Sequence, residues 1–516
     1  MSSWCRLPAE IQNMVLQNLV DADESDHDNR RNCPKYATVN KEWQAFFEPV
    51  CFETITFKSH HRMMDMNNII NPIRRRSVKK IALAFDADVT FGMLRTDGFF
   101  TMSIWQLFHE LSSWEASDGR QLELELSAIR DDPLADDASL GLPWAEYCRR
   151  EAELPLDLWR RCRPAEAPNM DLPAIFCATN QQLDLPEVPA VTTFTIRKIQ
   201  AFHFSDASTL TSTIGPMISK LPRLRHFKHD YWRGVKKSPL SIRRIDRTKK
   251  YKSLVSQHLL SRCQLRSVTI LEDFTCCFQD ELQDERHPHL GAALAGLSTG
   301  LEELHSSRNI DAMDFFSALG EEVDPARGWP HMRTLSMTAA GLLDEDQLQP
   351  LLQTVAAAVE VMPRIEVLEL WALENKKIGP GMRCKNAGLF RYNRLQERLR
   401  ITLMTTWGGA VDGDTEVAWT RVAEKHDERH TLMIECADID WKTLRSHTAL
   451  MDLLVLKDRI VTDKEGSGRY LFCKPPRGQR VPDAAAAPGA ASSTQSSPSP
   501  PPPSQGPSTT WTGLAL

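Results

Sequence analysis

The sequence predicts an α/β protein: a short N-terminal helical module, an irregular series of strand-and-helix units, and a tail without a core. Three observations predict it. Apolar residues recur at helical spacing between Leu7 and Phe52. A short pattern, Φ-x-x-Φ-x-Φ with Φ apolar, returns through the body of the chain. Composition changes abruptly after Pro475. A chain of 516 residues exceeds what one core usually serves, so several domains or a repeat array are expected.

The module occupies residues 1–52. Pro8 suits a first helical turn, where its missing N–H costs nothing. Ile11, Val15, Leu16 and Leu19 follow at helical spacing and give one apolar stripe. Asp21 to Arg31 has almost no apolar residue and is expected as a solvated link. From Pro34 a second helical stretch puts Tyr36, Val39, Trp43, Phe46 and Phe47 on one face, with Pro49 as its end.

The repeat pattern appears at Val78-Ile81-Leu83, Ile199-Phe202-Phe204, Leu265-Val268-Ile270, Met332-Leu335-Met337 and Ile365-Leu368-Leu370. Leu224-Phe227 and Leu301-Leu304 are degraded copies. The last two apolar positions alternate, as in a strand with one buried face. Helices are expected between copies at Tyr251 to Arg262, Ala292 to Leu297 and Gln347 to Met362. From Leu224 the copies stand roughly thirty to forty residues apart, within the range of stacked repeats. Units cover 53–130 and 191–384. Residues 131–190, rich in proline and charge, read as an insertion packed on the rim, with Trp144, Tyr147, Leu156 and Trp159 as its apolar anchors.

Lys376 to Asn386 offers no anchor. Residues 385–475 read as an α/β block closing the array. In it LQERLRITLMTTWGG is a helix end and then a strand. Glu416 to Glu424 and Thr431 to Cys436 are two strands, or a strand and a helix. Trp441 to Lys457 is a helix bearing Leu444, Leu450 and Leu453. The tail, 476–516, cannot form a core and is expected to be disordered.

At Leu7-Pro8, Glu10-Ile11, Val39 and Trp43 the module resembles an F-box. That resemblance implies a three-helix unit that binds the Skp-type linker of a cullin–RING ubiquitin ligase. By position, Leu7, Pro8, Ile11, Val15, Leu16, Leu19, Val39 and Trp43 would form or support the docking face. The sequence departs from the family in its acidic middle and in Asn40, where cysteine is frequent. The strand-plus-helix period resembles a leucine-rich repeat solenoid, with parallel strands on the concave side and helices outside. A single α/β domain with core strands of this pattern is the alternative. The pairing, with the junction FFEPVCFETITF, resembles fungal F-box-like proteins with a C-terminal domain of unknown function. It implies a non-catalytic substrate-recognition adaptor, with the linker and cullin as partners and a target protein bound by the solenoid. The alternative is a repeat scaffold for protein–protein interaction without a ligase role.

Little in the composition competes with that reading. A net charge of −6 argues against nucleic-acid or membrane binding by the whole chain. The 12 cysteines make no CxxC pair, which points to free thiols in cytosol or nucleus. No secretory signal and no membrane span is evident. His426 and His430 have zinc-ligand spacing, but Asp427 stands where a zincin needs Glu, so no metal, cofactor or catalytic residue is expected. The runs Arg74-Arg75-Arg76 with Lys79-Lys80, and Arg243, Arg244, Arg247, Lys249, Lys250 and Lys252, are candidate phosphate or nuclear-localisation patches. Their plainer reading is charged surface beside a strand. A nucleic-acid binder and an enzyme with its site in the insertion are the remaining rivals.

Overall fold

The computed structural model describes residues 3–25, 33–57, 63, 66–86, 96–115, 121–129, 184–197, 214–233, 248–274, 288–320, 323–326, 328–377, 382–395, 398–426, 431–440, 444 and 450–460. All fall in one compact unit, Met1–Pro475. The Ile199-Phe202-Phe204 copy, the anchors Trp144, Tyr147, Leu156 and Trp159, and the tail lie outside the described residues.

Three helices form the N-terminal module: α1 (Ala9–Ser25), α2 (Cys33–Tyr36) and α3 (Lys41–Cys51). Helix α1 continues into the acidic stretch expected to be a link. The side chain of Gln17 donates to Asp21 Oδ1 one helical turn on (2.9 Å), a pairing that supports the extension. The second helical stretch is broken in two. Asn40 is extended and caps α3 by accepting from the Trp43 N–H (2.9 Å). Val39, in the break, is therefore exposed and does not join the shared face. Pro49 does not end α3, which contains it and reaches Cys51. Leu16, Val20, Cys33 and Phe47 are its core, with Trp4, Leu19, Tyr36, Trp43 and Phe46 packed around them.

A twelve-stranded sheet follows. Its strands are β1 (Thr54–Phe57), β2 (Lys80–Asp86), β3 (Leu122–Ile129), β4 (Val191–Ile196), β5 (His226–Arg233) and β6 (Ser267–Phe274). Then come β7 (Glu303–Asp311), β8 (Thr334–Thr338), β9 (Val367–Lys377), β10 (Met382–Leu395), β11 (Arg398–Thr405) and β12 (Thr431–Asp438). They lie side by side in sequence order. Strands β1 to β9 are parallel throughout, β10 is antiparallel to β9 and β11, and β12 is parallel to β11.

Parallel neighbours in sequence order need a crossover each, and same-handed crossovers put all their helices on one face. The crossovers include α4 (Thr96–Ser112), short turns at Gly215–Ser219 and Ala312–Phe316, a π-helical turn at Leu254–Leu259, α5 (Pro288–Ser298), α6 (Glu345–Val359) and α7 (Gly413–His426). Leu107, Met217, Leu254, Leu294, Leu352 and Trp419 from these segments share a single core with the strands.

The strand residues beneath them form continuous rows. One row runs Ile55, Ile81, Leu124, Phe194, Phe227, Val268, Leu304, Leu335, Leu368, Tyr392, Ile401, Ile434 across all twelve strands. The next row has polar residues at His229, which meets the Tyr251 hydroxyl at 2.7 Å, and at Ser306.

Several expectations need correction. Strand β3 carries no Φ-x-x-Φ-x-Φ copy, whereas β4 carries one at Val191-Phe194-Ile196 in place of the expected Ile199-Phe202-Phe204; Leu185 and Val188, read as insertion, are buried beside β4. Residues 382–386 belong to β10 rather than to an unanchored stretch. Leu395 and Arg398 pair across antiparallel β10 and β11 instead of marking a helix end. Glu416 to Glu424 is helical, and Thr431 to Asp438 is the strand. Of the predicted helix at Trp441 to Lys457, residues 441–443 and 445–449 lie outside the described residues; Leu450 and Met451 are helical, 452–456 turn, and α8 covers Lys457–Ile460, with Leu444 and Leu450 buried as expected and Leu453 exposed.

Candidate functional site

Two surfaces are built unusually. The first is the outer side of α1. Leu16 and Val20 face inward, yet Leu7, Ile11, Met14 and Val15 are exposed, with Met14 at 60%. Ile11, Met14 and Val15 follow each other at helical spacing away from the buried stripe. The helix is thus apolar on two sides and covered on one. Of the residues predicted to dock a linker, Leu7, Pro8, Ile11, Val15 and Val39 are exposed. Leu16 is buried, and Leu19 and Trp43 pack into the module's own core, Trp43 against Trp4 and Phe47. The sequence missed Met14.

The second surface is the sheet face opposite the helices. One row there reads Ala82, Glu125, Thr195, Lys228, Thr269, His305, Ser336, Glu369, Arg391. Its early part is a charge ladder. Lys80 Nζ lies 2.5 Å from Glu125 Oε2, Arg197 Nε donates to the same oxygen (2.6 Å), and the Thr195 hydroxyl donates to Glu123 (2.8 Å).

Its later part lies under residues 450–460. Glu369, fully buried, accepts from the N–H groups of Val455 and Leu456 (both 2.9 Å) and from Arg391 Nε (2.7 Å). Arg391 also donates to the Leu453 carbonyl, and Arg459 pairs with Glu303. Leu450, Met451, Leu454, Leu456 and Ile460 pack on Leu271, Trp371 and Leu389 in a core separate from the main one.

Between those anchors stand polar side chains without an answer. His305 is buried and neither ring nitrogen has a hydrogen-bond partner among the described residues; the same holds for the hydroxyls of Ser307, Thr334 and Ser336. Burial, with smaller contributions from Arg459 and Lys228, pushes the His305 pKa down to about 3. His229, on the helix-covered face, is lowered to about 3 by burial alone.

The other sequence candidates resolve simply. Arg74 pairs with Glu48 (2.6 Å) and lies over the Phe52 ring, Arg75 lies over Trp114, and Lys79 and Lys80 pair with Glu53 and Glu125. Lys249 and Lys252 are exposed and Lys250 half-buried, while Arg243, Arg244 and Arg247 lie outside the described residues. His426 Nε2 is 3.0 Å from the Val359 carbonyl, which can only accept, so Nε2 carries the hydrogen and Nδ1 accepts from Tyr392. That ring is committed to packing; His430 lies outside the described residues. No cluster of three or more metal-ligating side chains occurs among the described residues. None of their helices is long and apolar enough to cross a membrane.

Residues 223–462 match the model of a family of unknown function (DUF6546). That stretch contains β5 to β12 and the segment crossing the polar face. Searches among curated proteins and among solved structures returned no match.

Proposed function

We propose that this protein is a non-catalytic adaptor. Its N-terminal module acts as an F-box that holds the Skp-type linker of a cullin–RING ubiquitin ligase. Its sheet acts as a leucine-rich-repeat-like array that presents a target protein. The mechanism is proximity: holding a target near a ubiquitin-charged enzyme raises its effective concentration, and no residue here has to react.

The observation that carries the reading is the second apolar face of α1. A helix buries its apolar stripes, and a contiguous exposed one marks an interaction site. Leu7, Ile11, Met14 and Val15, with Val39 nearby in sequence to the α3 cap, supply it. The sequence-ordered parallel strands support the repeat reading, since each unit leaves an apolar face that only the next unit covers.

A second reading is a scaffold that has lost the linker. It is favoured by α2, a single turn where the F-box family often has a leucine-bearing helix. Co-purification of the full chain with a Skp-type linker and cullin separates the two. The control is a Leu7→Ser, Ile11→Ser, Val15→Ser variant, whose positions are exposed and whose folding is expected to hold. Capture by the wild type and loss in the variant support the adaptor. Failure of the folded wild type to capture either partner overturns it and leaves the scaffold.

A further inference from the structure

We infer that β12 is a self-association edge. A second copy of this chain pairs with it, antiparallel about a twofold axis at Ile434, and joins two sheets into one. The inference does not rest on the adaptor reading; an adaptor paired in this way would carry two linker faces and two target faces.

Strand β12, eight residues long, is the last of the sheet and pairs only with β11, in unbroken register. The Ile439 N–H donates to the Thr405 carbonyl of β11 (2.7 Å). In a parallel ladder a residue turns its N–H and C=O to the same side, and successive residues alternate. Met433, Glu435 and Ala437 therefore face β11, while Leu432, Ile434 and Cys436 turn their backbone groups outward. Those outward groups meet no hydrogen-bond partner among the described residues. Cys436, Ala437 and Asp438 are exposed. An open edge of this kind is a template for another strand, and proteins usually blunt it with short length, lysine, proline or a bulge. The opposite edge is blunted: β1 has four residues. TLMIECAD has no lysine, proline or glycine, and its Glu435 is drawn back onto Arg400 of β11.

The strand is complementary to itself in one register. The apolar row that crosses the helix-covered face ends at Ile434, which is only half-buried. An axis at Ile434 sets that residue against its own counterpart and continues the row Ile401-Ile434 into the second sheet. Leu432 then opposes the partner's Cys436, also on the helix-covered face. Each of these pairs joins outward residues, so each exchanges both N–H···O bonds. On the polar face Met433 opposes Glu435. Moving the axis to Glu435 would set two carboxylates directly opposite each other, which is destabilising. Moving it to Met433 would set Cys436 against residue 430, before the strand begins. This self-fit favours a second copy over an unrelated strand. A twofold contact uses the same edge on both copies, so it closes at a dimer and does not propagate.

Sedimentation equilibrium of the full chain, up to about 100 μM, tests the pairing. A reversible dimer is expected. Cys436→Pro removes an outward N–H and leaves the ladder to β11 intact, and is expected to weaken the dimer at least about tenfold. Met433→Glu sets a second carboxylate opposite Glu435 and is expected to act in the same direction. The register is read by oxidation of Leu432→Cys. Its partner across the axis is the native Cys436 at a Cα separation of about 5.5 Å, within disulfide reach, so a covalent dimer is expected, and Cys436→Ser in the same chain should abolish it. A wild type that stays monomeric overturns the inference and leaves the edge to an extended segment of another protein. A dimer that folded Cys436→Pro and Met433→Glu leave unchanged overturns it as well, because the contact then lies elsewhere. If Cys436→Pro does not fold, Met433→Glu and the cross-link decide. No arm involves the linker, so this inference and linker docking fail separately.

Discussion

Replacing His305 with leucine should leave the protein as stable or more stable at neutral pH, and less sensitive to acid. His305 is 1% exposed and neither ring nitrogen has a partner among the described residues. A buried polar group left unanswered costs about 1–3 kcal/mol, and an apolar side chain of similar size removes that cost. Acid adds a second effect. The unfolded histidine ionises near its ordinary value of 6.5, but the folded one stays neutral down to about 3, because burial opposes the charge. With the folded pKa depressed, the unfolded state binds more protons below 6.5. The stability is complete above that pH and is lost as pH falls toward 3. The slope is about 1.4 kcal/mol per pH unit per histidine, so roughly 2 kcal/mol is lost by about pH 5. His229, lowered to about 3 by the same cause, doubles the loss in the wild type and remains in the variant. His226, His258 and His426 are also lowered, chiefly by burial, and cancel in the comparison. Urea unfolding followed by tryptophan fluorescence between about pH 7.5 and 5 reads both quantities. Parallel stability curves for wild type and His305→Leu would refute the protonation argument. A variant weaker by more than about 2 kcal/mol at neutral pH would show that the ring is satisfied rather than stranded.

Two comparisons test close packing against open space. Leu16→Ala, at a buried position of α1, should cost about 2–5 kcal/mol, whereas Val15→Ser beside it should stay within about 0.5 kcal/mol; thermal unfolding of each variant measures the difference. At Gly388 of β10 a Cβ would sit 2.7 Å from Leu342 Cβ and 2.8 Å from its carbonyl oxygen. Gly388→Ala should therefore cost about 1–3 kcal/mol. Gly296→Ala in α5, where a Cβ meets nothing within 4 Å, should gain about 0.5–1 kcal/mol.

The strands legible in the sequence were those whose apolar pair follows a turn with a third apolar residue behind it, as at Leu265-Val268-Ile270. Strand β3, read as LELELSAI, alternates without that preceding residue, and a motif keyed to three positions passes over it. VTTFTI does carry the three-position pattern, at Val191-Phe194-Ile196, and is buried on both faces, with Thr192 and Thr195 as deep as Phe194; the sequence reading puts its copy eight residues later, at Ile199-Phe202-Phe204. On the module, helical spacing found the apolar residues of α1 but not which side would be covered. That depends on Phe47 and Cys33, which arrive from later in the chain. The polar face was invisible for a related reason. Glu369, Ser336 and His305 become neighbours only through the register of β7, β8 and β9, and their burial depends on a segment some ninety residues after Glu369.

The family match bears on how these parts depend on each other. It begins just before β5 and ends just after α8, so the part of the polar face from Lys228 to Arg391 and residues 450–460 that pack on it lie within one stretch. A sheet starting at β5 would present an open parallel edge with an uncovered apolar row, a state that invites pairing with another chain. Strands β1 to β4 remove that edge by continuing the same rows, Phe227 beside Phe194 beside Leu124. The N-terminal module joins the far end through Arg74 on Glu48 and the Glu53 carbonyl on the N–H groups of Lys79 and Lys80, with a core of its own. The exposed face of α1 and the segment 450–460 packed on Glu369 therefore rest on different cores, one beside β1 and one on β6, β9 and β10, so a substitution in one is expected to leave the other unchanged.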